Sequence, residues 1–413
     1  MKLAKSAWNI AFNASVDFTR RPRKVEQITE HWGKHSPDDK RRAFRLLYAW
    51  LRGQGLARHV LKSLMTKPPR SKLQLTLELA CSELLVTLPE RHPAVVSSAV
   101  DFAKSGFSKR EAGLCNAVLR KASAQILSTP LQYSHPDWLV KQWRQAFGEA
   151  ETEALIGWNQ TKPTTYVRWS KRAGSPLPAL IPTQWPNFYT YPEEARVQVI
   201  EAVNSGLAYI QDPFTRHPVE MALAAGPKTI LDLCAAPGGK TRALVDAQKD
   251  SAPAVIVASD LPGPRLEQLK ENLSVLGDER RPAVLAADGT ALSREGFESA
   301  GLPIEYDAVI LDVPCSNTGV IQRRPDVRWL LRPERLKGLV ELQAALLASA
   351  ANFVSPGGRL IYSTCSLESA ENEAQIAAFL EKNPAYSLED KRLSRPWTDE
   401  HDGGAAFTLT RER

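Results

Sequence analysis

From about residue 216 the sequence alternates short apolar runs with amphipathic stretches, and this alternation constrains the fold more than any other feature. TILDLC ends at a Gly-rich turn, and GKTRALVDAQ reads as the helix after it. AVIVASD ends in an acid and precedes the helical PRLEQLKENLSVLG. AVLAAD, YDAVILDVPC and GRLIYSTCS are three more strands, with helices over PERLKGLVELQAALLASAANFV and ENEAQIAAFLEKN. Strands and helices alternating in this way predict an α/β domain over 216–413, with a doubly wound, largely parallel sheet. Such sheets bind ligands beyond the carboxyl ends of their strands. Those ends carry Asp232, Asp260, Asp288, Asp312 with Cys315, and Thr364-Cys365-Ser366. Several reactive side chains therefore meet on one edge.

The preceding residues are organised differently. Residues 1–125 read as an all-α domain, with apolar residues at helical spacing in AFRLLYAWLRGQGLARHVLKSLM and LQLTLELACSELLVTL. Ser36 before Pro37, and Ser108 with Glu111, have the chemistry of helix starts. Residues 126–215 form a linking α+β segment. SHPDWLVKQWRQAFGEAE reads as one amphipathic helix and TTYVRW as a strand. Pro163, Pro176, Pro178, Pro182, Pro186 and Pro192 keep the rest to short strands and loops.

Charge separates the same regions. Residues 1–125 hold 23 Lys+Arg against 10 Asp+Glu, whereas the remainder holds 30 against 36, so the net +7 originates in the first third. An excess spread over a whole domain points to an acidic partner, most simply nucleic acid. Arg20, Arg21, Arg23, Lys24, Lys40, Arg41, Arg42 and Arg45 stand on its expected exposed faces. A second group, Arg323, Arg324, Arg328, Arg332 and Arg335, follows the Pro-Cys turn and is expected to meet phosphates of that nucleic acid, RNA if the resemblance given below holds. No run approaches the ~18 apolar residues of a membrane helix, and the N-terminus has no signal-peptide pattern. The expected location is the cytoplasm, with no membrane partner and a monomeric chain. The five cysteines, Cys81, Cys115, Cys234, Cys315 and Cys365, form no C-x-x-C pair and no Cys/His cluster, so no metal is expected.

The turn Cys234-Ala235-Ala236-Pro237-Gly238-Gly239-Lys240-Thr241 suits either a phosphate or an adenosine cofactor, because a helix start offers free N–H groups and partial positive charge. It misses the phosphate-loop pattern G-x-x-x-x-G-K-[ST] by one residue, at Cys234. Asp260, ending the next strand, stands where an acid binds ribose hydroxyls. Asp288 ends the third strand, within reach of a base. Lone cysteines are usually buried hydrophobes, but Cys315 and Cys365 end strands beside acids and hydroxyls, where a thiol makes a plausible nucleophile.

Together, CAAPGGKT, DLPGPRLEQLKENL, YDAVILDVPCSNTGV, RRPDVRW and YSTCSLESAENE resemble the Nol/Nop/Sun family of S-adenosylmethionine-dependent RNA cytosine-5 methyltransferases. The likeness covers about residues 205–410, with the motifs in the family's order and spacing. DKRRAFRLLYAWLR, HPAVVSSAVDFAK and GLCNAVLRK resemble the NusB-like RNA-binding domain of the branch that modifies small-subunit ribosomal RNA. The resemblance implies a Rossmann-like methyltransferase domain with a mostly parallel seven-stranded sheet. It implies S-adenosylmethionine held by residues 234–240, Asp260, Arg265, Asp288 and Asp312. It also implies Cys365 as the attacking thiolate, Cys315 as the residue that resolves the adduct, Asp312 on the base and Lys240 supporting an ionised partner. A base reaches such a site only when unpaired or flipped. Two competitors are a phosphate-loop nucleotide hydrolase, which leaves both strand-end thiols idle, and a non-catalytic RNA-binding assembly factor, which has no need of them.

Overall fold

The computed structural model describes residues 2–248 and 254–413, and the chain divides into two compact units. The first comprises residues up to Lys162 together with Ile321–Arg332. Its helices Lys2–Arg20, Pro37–Leu64, Ser71–Leu85, His92–Gly106 and Lys109–Gln125 enclose one apolar core. Trp8 and Trp50 lie within that core, and Trp8 stacks on Phe102 at 5.4 Å. Both helix starts read from the sequence are present. Ser36 Oγ accepts from the Asp39 N–H at 3.2 Å ahead of Pro37. Ser108 and Glu111 form a reciprocal capping box, which satisfies donors that a helix start would otherwise leave open. The single helix expected over 134–151 is two, Asp137–Phe147 and Glu149–Gln160. Gly148, at φ +83°, breaks the ladder between them.

Residues 321–332 pack as part of this helical unit. Trp329 donates from Nε1 to the Leu51 carbonyl at 2.6 Å, and Gln322 donates to Thr161 Oγ1 at 2.6 Å. Arg328 is fully buried; its guanidinium donates to the carbonyls of Arg52, Ser134 and Asn159 at 3.2, 3.1 and 3.3 Å. This corrects the expectation that Arg328 meets RNA phosphates: it has no exposed surface and its donors are spent on main chain. Arg324 is likewise paired, with Glu26 at 3.5 Å and Asp326 at 3.8 Å. Truncating Arg328 to alanine strands these carbonyls, so thermal or denaturant unfolding should show a loss of roughly 3–5 kcal/mol. A loss within experimental error would refute this structural role.

The second unit comprises Pro163–Val320 and Pro333–Arg413. A small antiparallel sheet of β1 (Val167–Trp169), β2 (Ile181–Pro182), β3 (Phe188–Thr190) and β4 (Ala208–Ile210) runs in the order β2-β3-β1-β4. The large sheet holds β5 (Thr229–Leu233), β6 (Val255–Asp260), β7 (Ala283–Ala286), β8 (Tyr306–Asp312), β9 (Val354–Thr364), β10 (Tyr386–Ser394) and β11 (Gly404–Arg411), in the order β10-β11-β9-β8-β5-β6-β7. Strands β5 to β9 pair in parallel; β11 pairs antiparallel with β9, and β10 with β11. The expected mostly parallel seven-stranded sheet is therefore present, closed on one side by an antiparallel hairpin. β5, β8 and the second half of β9, from Leu360 to Thr364, are almost wholly buried, as a sheet covered on both faces requires. After β7 the chain returns to the other side of β5, so the strand order reverses between β5 and β8. A crevice opens at such a reversal, and it positions everything below.

Candidate active site

The loop after β5 and the loop after β8 flank this reversal. Residues 234–238 run from β5 into the helix Gly239–Ala247. Gly238 caps it at φ +102°, a conformation costly to any residue with a Cβ. Cys234 is also left-handed, at φ +56°, and burial pushes its thiol up to about 12. Ala235 and Ala236 are buried. The Asp260 carboxylate accepts from the Ala236 N–H at 2.8 Å and the Leu261 N–H at 2.9 Å. Arg265 donates to the Ala236 carbonyl at 2.6 Å, and Asn272 donates to that of Pro237 at 2.8 Å. The loop is thus gripped from the helix that follows β6, before any ligand arrives.

Asp232 lies beneath the loop, fully buried, with Thr241 Oγ1 donating to Oδ2 at 2.6 Å and Oδ1 left without a partner. Burial raises its pKa to about 7, against the opposing pull of that hydroxyl and of Lys240. Lys240 reaches across to β8, its Nζ 2.6 Å from Asp312 Oδ2. Burial opposes the ammonium, but the Asp312 carboxylate, together with Asp232 and Cys365, outweighs it and holds the Lys240 pKa above its usual value. Asp312 Oδ1 accepts from Ser363 Oγ at 2.7 Å, which fixes the carboxylate between β8 and β9. Asp288 follows β7 and is exposed, with Oδ1 committed to the Thr290 N–H and hydroxyl at 2.9 and 2.7 Å.

The two cysteines that end β8 and β9 come together, with Sγ atoms 3.2 Å apart. Both are free thiols. The hydrogen bond with Cys365 and, after it, burial hold the Cys315 pKa well above the ordinary thiol value. Asn317 joins the pair, accepting from Cys365 Sγ at 3.2 Å and donating to the Cys315 carbonyl at 2.6 Å, from a left-handed backbone at φ +63°. Gly319 lets its turn pass against the Gly403 carbonyl, which a Cβ would overlap. Behind the thiols, Glu371, Gln343, Ser316, Ser366 and Thr318 form a buried hydrogen-bonded group. Neither Asn317 nor Glu371 figures in the reading of the sequence. The only local signals are the Ser-Asn-Thr-Gly turn after Pro-Cys and the acids of ESAENE after Thr-Cys-Ser. Among the described residues, no group of three or more His, Cys, Asp and Glu is arranged to hold a metal ion, and no helix is long and apolar enough to cross a membrane.

The chemistry of the crevice suits a nucleoside cofactor. Each oxygen of Asp260 has accepted one hydrogen bond, and a carboxylate oxygen can accept a second, so a ribose diol has acceptors at the end of β6. The small residues 235–239 leave backbone free to approach an adenosine and its amino-acid chain.

Comparison with known proteins agrees on the fold. The solved structure named PH0851 superposes with a TM-score of 0.71 over 99% of each chain, at 23% identity. Another, a methyltransferase homolog protein from Pyrococcus horikoshii, covers 67% of this chain and 95% of its own with a TM-score of 0.53, at 23% identity. The fold is thus a Rossmann-like α/β unit accompanied by a helical one. Residues 221–409 match the family model for 16S rRNA methyltransferase RsmB/F, and residues 7–124 match the NusB family. The ribosomal RNA small subunit methyltransferase B of Sodalis glossinidius is 31% identical over 80% of this chain and 78% of its own. That of Proteus mirabilis is 29% identical over 92% of both. The chain belongs to the RsmB/F family of ribosomal RNA methyltransferases, and its cofactor is S-adenosylmethionine.

Proposed function

We propose that this protein methylates carbon 5 of a cytidine in small-subunit ribosomal RNA through a covalent cysteine–cytosine adduct. The observation that carries the reading is the pair of thiols, Cys315 and Cys365, 3.2 Å apart beside the Lys240–Asp312 ion pair. Neither a nucleotide hydrolase nor a binding factor has work for that pair. Carbon 5 of cytosine is a poor nucleophile. Addition of the Cys365 thiolate to carbon 6 makes the ring an enamine, and carbon 5 then attacks the methyl sulfonium. Removal of the carbon-5 proton returns its bonding pair to the ring, and the carbon 6–sulfur pair leaves with Cys365. Cys315, its sulfur beside that of Cys365, is assigned to this elimination.

Asp312, fixed by Ser363 and Lys240, is assigned to the base at nitrogen 3. Lys240 holds the Asp312 carboxylate in place through their ion pair. The loop 234–240 with Asp260 and Arg265 is assigned to the cofactor, with Asp288 at its base end. S-adenosylmethionine, when bound, supplies the electrophilic methyl group. The scheme needs no metal, one chain suffices for it, and a reducing cytoplasm keeps both thiols free.

The test is to map 5-methylcytosine in ribosomal RNA from cells with and without the protein, and to restore it with purified protein and labelled S-adenosylmethionine. Unchanged ribosomal methylation would refute the reading. RNA binding should weaken with salt, and reversing the charge of Arg20, Arg21 and Arg23 should lower both affinity and salt slope, by about 0.9 for each phosphate no longer neutralised. Arg20 and Arg21 are exposed, and Arg23 pairs with Asp17 at 2.6 Å. A salt-independent affinity in titrations would contradict the assignment.

A further inference from the structure

Glu371 is a buried acid to which the chemistry above gives no task. Its side chain is 0% exposed, it lies in the turn Ser369–Glu371 after β9, and among the described residues it forms no ion pair. Its Oε1 accepts from the Ser316 N–H at 2.8 Å and from Gln343 Nε2 at 2.9 Å. Its Oε2 accepts the Ser366 hydroxyl. Ser316 is the residue after Cys315, and Ser366 the residue after Cys365. One carboxylate therefore ties together the two turns that carry the thiols. Gln343 extends the tie to the other side of Cys315 by donating to the Pro314 carbonyl at 3.0 Å. The Tyr362 hydroxyl holds the Glu371 main chain at 2.7 Å.

Burying a carboxylate with no cation beside it is expensive, and a neutral brace of the same shape would fill the space at less cost. What the charge adds is stiffness, since hydrogen bonds to an ionised acceptor are shorter and about twice as strong as neutral ones. We propose that Glu371 is a positioning residue for the thiol pair, its carboxylate holding the Cys315 turn against the Cys365 turn at the spacing that release of the methylated base requires. The inference rests on the roles given above to the two cysteines. It makes Glu371 act on release, not on cofactor binding.

Glu371→Gln is the informative variant, because an amide oxygen still accepts both N–H groups and the Ser366 hydroxyl can turn to accept from the amide. The hydrogen bonds survive and the charge goes. Multiple-turnover methylation should fall about 10²-fold, the effect of a misplacement near 1 Å. Protein–RNA adduct resistant to denaturing gels should build up, while S-adenosylmethionine affinity by calorimetry and the thermal midpoint stay near wild type. Ser366→Ala cuts the same tie from its other end and should shift the adduct fraction in the same direction, whether or not Glu371→Gln folds. Wild-type turnover without adduct in a folded Glu371→Gln overturns the proposal. So does a joint loss of turnover, cofactor affinity and thermal midpoint without adduct, which marks a mere structural brace. Cys315→Ala run alongside separates the two levels. Adduct there but not in the Glu371 and Ser366 variants overturns this inference alone, whereas no adduct there overturns the cysteine assignment and this proposal with it.

Discussion

Replacing Cys365 with alanine abolishes methyl transfer, by about 10⁴-fold or more, as loss of a nucleophile does where no other group can stand in. The neighbouring sulfur is a poor substitute. Cys315 is buried and holds its proton far above the ordinary thiol range, so it offers little thiolate at neutral pH. The residues proposed for the cofactor lie elsewhere, on the loop after β5 and at Asp260, and the Lys240–Asp312 pair does not depend on the missing sulfur. Calorimetry should therefore show S-adenosylmethionine binding unchanged while transfer of labelled methyl to RNA disappears. Retained transfer removes Cys365 from the nucleophile's role.

Replacing Cys315 with alanine has a different signature, because it follows bond formation. In the proposed mechanism attack and methyl transfer use Cys365, and elimination uses Cys315. The variant should complete up to one turnover and then stall as a covalent complex, visible as a ribonuclease-sensitive band in a denaturing gel. Steady-state turnover should drop by roughly 10²–10⁴-fold, the span of a lost proton-transfer group. Free RNA alone in that gel, with turnover intact, removes Cys315 from the release step.

Much of this site is legible from residue order alone. Strand–helix alternation places the ends of β5, β6, β8 and β9 on one edge. The acids and thiols at those ends are then near each other by topology, before any coordinate is known. The caps at Ser36 and Ser108 are equally local, each set by residues three apart. What cannot be read this way depends on groups distant in the chain. Glu371 sits 55 residues from Ser316 and 28 from Gln343, and in the sequence it is one acid among the several of ESAENE. The hairpin of β10 and β11 hides for another reason. β10 is largely exposed and polar, so it lacks the apolar run that marks the parallel strands. Arg328 looks like part of a solvated basic face, because the carbonyls that absorb its charge belong to residues 52, 134 and 159.

The helical unit is discontinuous along the chain, since Ile321–Arg332 completes it from between β8 and the helix that starts at Pro333. Cutting after residue 162 would therefore not yield a whole module. It would leave the Leu51 carbonyl without its indole and three further carbonyls without their guanidinium. Recombination that joined this N-terminal portion to an unrelated catalytic half would carry that defect along. Inheritance of the two parts is thereby linked, because a dozen residues encoded within the catalytic half are masonry for the other.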